Sequence, residues 1–310
     1  MNPTPTARLL DGVTSLNELG VIRVAGEDAA KFIHGQLTQD FALLGHDAAR
    51  LSAFCSAKGR VQASFIGLKR PNGDILLVGS RDVLAATAKR LSMFVMRAKA
   101  KVSDASDEFL LYGLAGSAIK NIAAHADSAW SKADFDAVSV VQLYPAAGVA
   151  RQLWVAPVGT ELPHGGLLPA ALWRWSEVQS GVATITLPLV DAFVPQMLNY
   201  ESIGGVNFKK GCYPGQEVVA RSQFRGTLKR RTFLMHGTEP LHVGDPVFSA
   251  QDAEQAAGTV VQVALAPTGG FDALVSGQIT ALESGTVRVG TPTGPMLSLM
   301  PLPYALLDDI

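Results

Sequence analysis

The sequence predicts an α+β protein: hairpin-rich strands mixed with helices over the first three-quarters, then a small β-barrel or sandwich at the C-terminal end. Three observations carry this. Strand-like runs and helical periodicities are interleaved with hairpin signals, not with the regular strand–helix alternation of a doubly wound sheet. After about residue 235 the chain becomes a series of short β-like runs broken by turns: TFLMHG, DPVFSA, AGTVVQVAL, ALVSGQIT and TVRVG. Finally, 310 residues at 48% hydrophobic and 17% charged suffice for a folded chain of two or three modules.

Residues 19–25 (LGVIRVA) read as a strand. Gly26-Glu27-Asp28 then opens a helix through Ala29, Phe32, Ile33 and Leu37. Residues 51–68 make two β-like runs around Lys58-Gly59-Arg60. The second run pairs with residues 75–79 across a turn containing Asn72-Gly73. Ser80 is placed to cap a helix whose apolar face is Leu84, Ala88, Leu91 and Val95. Strands are expected near 99–103, 108–114, 137–144 and 151–156, with a weaker helix at 117–126. A further helix covers 168–180 and stops at Gly181. Within it Trp173 and Trp175, two apart, cannot share a face, so one is expected in the core and the other at a surface or cavity.

Several functions lose support at this level. Neither G-x-G-x-x-G nor G-x-x-x-x-G-K-[ST] occurs, so those modes of nucleotide binding have no motif here. No run approaches the length of a membrane-spanning helix, and MNPTPTARLLDG lacks the apolar stretch of a secretory signal. The two cysteines, Cys55 and Cys212, form no disulfide framework, which fits a reducing cytoplasm. Six scattered histidines have no ligand-like spacing with either cysteine, so no bound metal is expected. The net charge of −1 is unevenly spread: residues 209–231 carry seven cations against Glu217, a local charge of +6. Such a segment suits an anionic ligand or a nucleic-acid backbone, and equally a solvated charged surface.

The chemistry concentrates in KKGCYPGQEVVAR, Lys209–Arg221. Pro214 suits the first turn of a helix carrying Gln216, Glu217, Val218 and Val219. Cys212 would then lie at or just before a helix N-terminus, beside Lys209 and Lys210, and both features favour a thiolate. A small buried cysteine in a tight turn is the plainer alternative. The polar, glycine-rich, basic surroundings favour a functional thiol.

This stretch, K-G-C-Y-x-G-Q-E-x-x-A-R, resembles the signature of the YgfZ-type folate-binding proteins, relatives of the aminomethyltransferase (T-protein) of the glycine cleavage system. The resemblance rests on Lys210, Gly211, Cys212, Tyr213, Gly215, Gln216, Glu217 and Arg221, with weaker support from GEDAAKFIHGQLTQD near the N-terminus and PQMLNYESIGGVNF before the loop. It implies an aminomethyltransferase-like folate-binding module of ferredoxin-like subdomains over 1–235 and a β-barrel over 236–310. It further implies tetrahydrofolate or a derivative as ligand, with Trp173 against the folate ring, while the basic segment, including Lys209 and Arg225, suits its glutamyl tail. The implied role is assembly or repair of iron–sulfur clusters in client proteins such as tRNA-modifying enzymes. Cys212 could accept a one-carbon unit, attack a damaged cluster or hold a metal transiently, and the residues do not choose among these. Two cysteines cannot alone supply the usual four thiolates of a cluster.

The chain also departs from the transferases it resembles. Where their hairpin carries paired aspartates, Ala63 and Ser64 stand here, and a second family tryptophan aligns with Leu19. A folate-dependent one-carbon transferase or demethylase is therefore the second reading, with Asp191, Glu201 and Glu217 as the carboxylates nearby in sequence. An RNA-binding protein using residues 209–231 is the third, weakened by the scarcity of aromatics there, and a folate-free adaptor the plainest. Whether Cys55 lies near Cys212 is not legible in the sequence.

Overall fold

The computed structural model describes residues 9–120, 128–225, 227–249, 254–283 and 286–307. Two five-stranded antiparallel sheets and a closed barrel account for the strands. The first sheet has the order β3-β4-β5-β2-β6, from β2 (Leu19–Ala25), β3 (Ala49–Cys55), β4 (Val61–Lys69), β5 (Ile75–Ser80) and β6 (Lys101–Asp104). Strands β3, β4 and β5 are largely apolar on both faces because both are covered, whereas the edge strand β6 is polar and partly exposed. Leu51, Ala53, Cys55, Leu76 and Val78 enter the main core; Phe54, Ala63, Phe65, Ile75 and Leu77 enter a second core under the helices α1 (Ala29–His34) and α2 (Arg81–Ser92).

The second sheet, β1-β7-β10-β9-β8, is built from β1 (Gly12–Ser15), β7 (Phe109–Ala115), β8 (Lys132–Phe135), β9 (Val138–Gln142) and β10 (Arg151–Pro157). Helix α3 (Ala170–Gln179) lies between this sheet and the barrel. The barrel closes in the order β11-β14-β13-β12-β15-β16. Its strands are β11 (Arg230–Gly237), β12 (Pro246–Ser249), β13 (Gly258–Leu265), β14 (Phe271–Gln278), β15 (Thr286–Val289) and β16 (Met296–Met300), with the short α5 (Ile279–Leu282) between β14 and β15.

Several expectations shift in detail. The first helix ends at His34, and Leu37 instead bridges Phe54 of β3. The expected helix over 117–126 is a single 3-10 turn at Gly116–Ala118, and 121–127 lie outside the described residues. The barrel's first strand starts at Arg230, ahead of residue 236. Ser80 does not cap α2 through the backbone; its hydroxyl donates to Asp82 Oδ1 at 2.7 Å, and Asp82 Oδ2 accepts the Leu187 N–H at 2.8 Å. Trp173 and Trp175 are both buried, because α3 has cover on two sides. Trp175 Nε1 donates to Asp272 Oδ2 across to the barrel, at 2.6 Å.

Candidate functional site: the Cys212 loop

The segment from Gly204 to Gly215 runs over the end of α1 and the β3–β4 turn, and it is fixed along its length. Thr38 Oγ1 donates to the Gly205 carbonyl at 2.6 Å, Gln39 Nε2 to the Gly204 carbonyl at 2.7 Å, and Asn207 N–H to the Thr38 carbonyl at 2.9 Å. Lys210 turns inward and is 8% exposed. Its ammonium donates to the carbonyls of His34 and, at 2.7 Å, Leu37, and lies 4.7 Å from the centre of the Tyr213 ring. Burial pushes this ammonium down to about 8, with Asp40 and Cys212 pulling the other way. Tyr213 is 7% exposed and belongs to the main core.

Gly215 completes the fixing. Its φ is +78°, a left-handed conformation that glycine adopts without strain, and a Cβ there would lie 2.4 Å from the Ser56 carbonyl oxygen. The backbone of the loop therefore rests directly on the β3–β4 turn. Gly59 mirrors it, since a Cβ there would lie 2.9 Å from Val218 Cβ on the helix α4 (Gln216–Phe224). Lys210 and Tyr213 thus plug inward on either side of Gly211-Cys212, and Cys212 is held outward, exposed. Among the described residues its thiol has no hydrogen-bond partner. The motif residues Glu217 and Arg221 pair on the exposed face of α4 at 2.7 Å, a contact worth roughly 0.3–0.5 kcal/mol.

The two expected lysines differ in placement: Lys209 is exposed beside Cys212, whereas Lys210 is buried, donates to helix-end carbonyls and acts on the thiol only through its charge. Helix α4 begins at Gln216, after a turn through Pro214 and Gly215, so Cys212 lies outside its first turn. Cys55 is 1% exposed in the main core beside Tyr213 and Tyr200, and burial, with Asp191 adding to it, pushes its thiol up to about 12. The two cysteines are both free, one inside and one outside.

Trp173 does not offer a surface for stacking. It is 1% exposed, the Arg151 guanidinium lies 5.0 Å from its ring centre, and the ring presses on Gly113, where a Cβ would meet it at 2.6 Å. The positions of the missing aspartates are equally closed: Ala63 is fully buried, and Ser64 Oγ accepts the Ile185 N–H at 2.9 Å. Of the basic segment, Lys209, Arg225 and Lys229 are exposed, whereas Arg231 is buried against Glu201 at 2.6 Å and donates to the Leu307 carbonyl. Glu201 is thereby a structural ion-pair partner, and Asp191 accepts from Gln62 Nε2 at 3.2 Å.

Two features escaped the sequence. A cleft of about 390 Å³ opens beside the loop's start, lined by Gln39, Asp47, Arg50, Trp130 and Gly204. Trp130 is tied there by its Nε1 donating to the Ile203 carbonyl at 2.9 Å, and it stands edge-on to Tyr144. The second is a histidine–carboxylate pair under the loop: His34 Nδ1 and Asp40 Oδ1 are 3.0 Å apart. Burial would raise the Asp40 carboxyl, but the Leu43 N–H and the His34 ring together hold it below the ordinary range. A spacing of six residues across a helix end has no periodic signature, so neither partner points to the other in sequence.

No family model matches the sequence. The tRNA-modifying protein YgfZ of Edwardsiella ictaluri (strain 93-146) is 30% identical over 301 residues, covering 92% of this chain and 89% of that protein. Among solved structures, the glycine cleavage system aminomethyltransferase T from Bartonella henselae matches with a TM-score of 0.66 at 13% identity, over 98% of this chain and 90% of that one. The structural likeness establishes the aminomethyltransferase-like fold. Identity of that extent along nearly the whole chain establishes the kinship: this protein belongs to the YgfZ family.

Proposed function

We propose that the protein binds a reduced folate, tetrahydrofolate or a derivative, in the cytoplasm and supports the assembly or repair of iron–sulfur clusters in client enzymes, tRNA-modifying enzymes among them, with Cys212 as its functional thiol. The observation that carries this reading is the presentation of Cys212: an exposed, unpartnered thiol on a loop fixed by buried neighbours on both sides. A core cysteine such as Cys55 needs no such support. The YgfZ relative is named for tRNA modification, which is the setting the proposal gives to the clients. With a single accessible thiol, the chain contributes one sulfur ligand or nucleophile at a time, and the cluster remains the client's.

The folate is assigned to the Trp130 cleft. A pterin needs a flat apolar wall and polar groups at its edge; Trp130 supplies the first, and Gln39, Asp47 and Arg50 the second. Lys209 and Arg225 are exposed cations available to a glutamyl tail. When bound, the folate would supply a one-carbon carrier. The chain's own part is to hold its ring and charge and to keep the thiol presented. Transfer by the aminomethyltransferase route is not proposed, because Ala63 and Ser64 put no carboxylate where that chemistry requires one.

Two tests follow. Cells lacking the native protein regain iron–sulfur enzyme activity with the wild-type chain and not with Cys212→Ser; full rescue by the variant removes the thiol from the function. Calorimetric titration with tetrahydrofolate gives saturable binding that Trp130→Ala weakens at least tenfold, about 1.4 kcal/mol. Undiminished binding by that variant places the folate elsewhere.

A further inference from the structure

We infer that His34, oriented by Asp40, is the proton acceptor for the Cys212 thiol. The inference rests on the reading of Cys212 as a functional thiol and adds the group that activates it. His34 is the last residue of α1, with its side chain 20% exposed, and Asp40 is 14% exposed. The ring nitrogen facing Asp40 is Nδ1, at 3.0 Å, and that carboxylate also accepts the Leu43 N–H at 3.0 Å. The Ala42 N–H also points at Nδ1, at 3.4 Å, but the carboxylate is the nearer partner and favours the proton on Nδ1, with Nε2 as the basic nitrogen.

Nε2 is directed at the Cys212 loop. A Cβ built on Gly211 would lie 3.3 Å from it, so the loop backbone passes directly over the imidazole. Cys212 follows one peptide later, about 3.8 Å along the Cα trace. The loop cannot drift from the ring, because Lys210 bonds the carbonyl of His34 itself and that of Leu37. In this conformation Sγ and Nε2 are not hydrogen-bonded to each other. The thiol is exposed and unpartnered, so the inferred transfer, which needs the Gly211-Cys212 peptide to turn the side chain toward the ring, breaks no existing bond of the thiol.

The step is a proton transfer: the S–H bond breaks, its proton moves to Nε2, and the thiolate is left beside an imidazolium whose other N–H stays on Asp40. Gln39 and Asp40 are consecutive, so one short segment fixes both the edge of the Trp130 cleft and the orientation of His34. Other charged groups on the packed elements are Lys31 on α1, Lys58 and Arg60 on the β3–β4 turn, the Glu217–Arg221 pair on α4, and Lys209 and Lys210 on the loop. All of these remain when His34 alone is changed, which isolates its effect.

The test is the pH dependence of iodoacetamide alkylation of the full-length protein, which needs neither folate nor client. Cys212→Ser gives the background from the buried Cys55. His34→Gln is expected to move the midpoint of the Cys212 profile upward by about one pH unit, so that alkylation at pH 7 slows about tenfold. Asp40→Asn shifts it in the same direction by less. Superimposable profiles for wild type and His34→Gln overturn the inference. If His34→Gln does not fold, Gly211→Ala decides, since it keeps His34 and inserts a methyl group beside Nε2: an unchanged profile there also overturns it. The two readings fail separately. Full rescue of cells by Cys212→Ser removes the functional thiol whatever the alkylation shows, whereas unchanged alkylation in His34→Gln removes only the histidine.

Discussion

Lys210 holds its ammonium against two carbonyls at the end of α1 and over the ring of Tyr213, and the position of Cys212 depends on it. Lys210→Met keeps most of the stem but leaves both carbonyls without this donor, at a cost of about 1–3 kcal/mol, measurable by urea unfolding at pH 7. The pH dependence follows from burial, which lowers the folded-state value to about 8 from the ordinary 10.5. Between these values the unfolded chain holds the proton more tightly than the folded one, so folding gains stability as pH rises. Below about 8 both states are protonated and the burial penalty is constant. The wild type should therefore gain on Lys210→Met between pH 7.5 and 9.5. A gap that does not widen would mean that the ammonium is not penalised by burial. In the sequence Lys210 reads as a flanking cation for the thiol, because its burial is made by residues 34–37, far away along the chain.

Among the elements, the loop and the β3–β4 turn are shaped to each other by two glycines, Gly59 and Gly215. Gly215→Ala forces an alanine into the left-handed region, costing about 1–2 kcal/mol, and drives its Cβ against the Ser56 carbonyl. The backbone must move, and the combined loss should be at least ~2 kcal/mol, read as a lower thermal midpoint with faster proteolysis near Cys212. An unchanged midpoint would show that the turn and the loop are not in mutual contact. Strands are the elements most legible in sequence: β2, the β3–β4–β5 run and β10 follow from apolar runs and the Asn72-Gly73 turn. Helix ends are less so. Leu37 and Val95 continue the apolar periodicity past His34 and Ser92, but as core contacts of the chain leaving each helix. The motif singles out the Cys212 loop by composition. It could not show that Gly211 passes over His34, since that meeting is made by the fold.

Across the molecule, a buried carboxylate is one of several ties between the barrel and the rest, beside the Asn199–Thr232 bonds, the Met197 carbonyl shared by Thr232 and Ser276, and the Glu201–Arg231 pair. Asp272, 3% exposed on β14, accepts Trp175 Nε1 at 2.6 Å and Gln179 Nε2 at 2.8 Å from α3, and its Oδ1 lies 2.8 Å from His236 Nδ1 on β11. The sequence placed one of Trp173 and Trp175 in the core and the other at a surface or cavity; both are buried, and Trp175 is a strut between modules. A further tie is the segment after β16, where Tyr304 donates to the Gly181 carbonyl at 2.7 Å and the Leu307 N–H to Ser202 Oγ at 3.0 Å. Removing one tie tests whether the modules fold as a unit. Asp272→Ala strands the buried Trp175 and Gln179 donors of α3 and leaves the half-buried His236 without its carboxylate, so a loss of about 3–5 kcal/mol is expected, on the scale of breaking a buried charged contact. Because the α3 bonds cross between modules, the loss falls on their coupling as well as on total stability. Scanning calorimetry should then resolve the single transition of the wild type into two, the barrel melting apart from the sheets. One transition at a lower temperature would instead mean that the remaining ties, the Asn199–Thr232 bonds, the Glu201–Arg231 pair and Tyr304 among them, suffice to couple the modules.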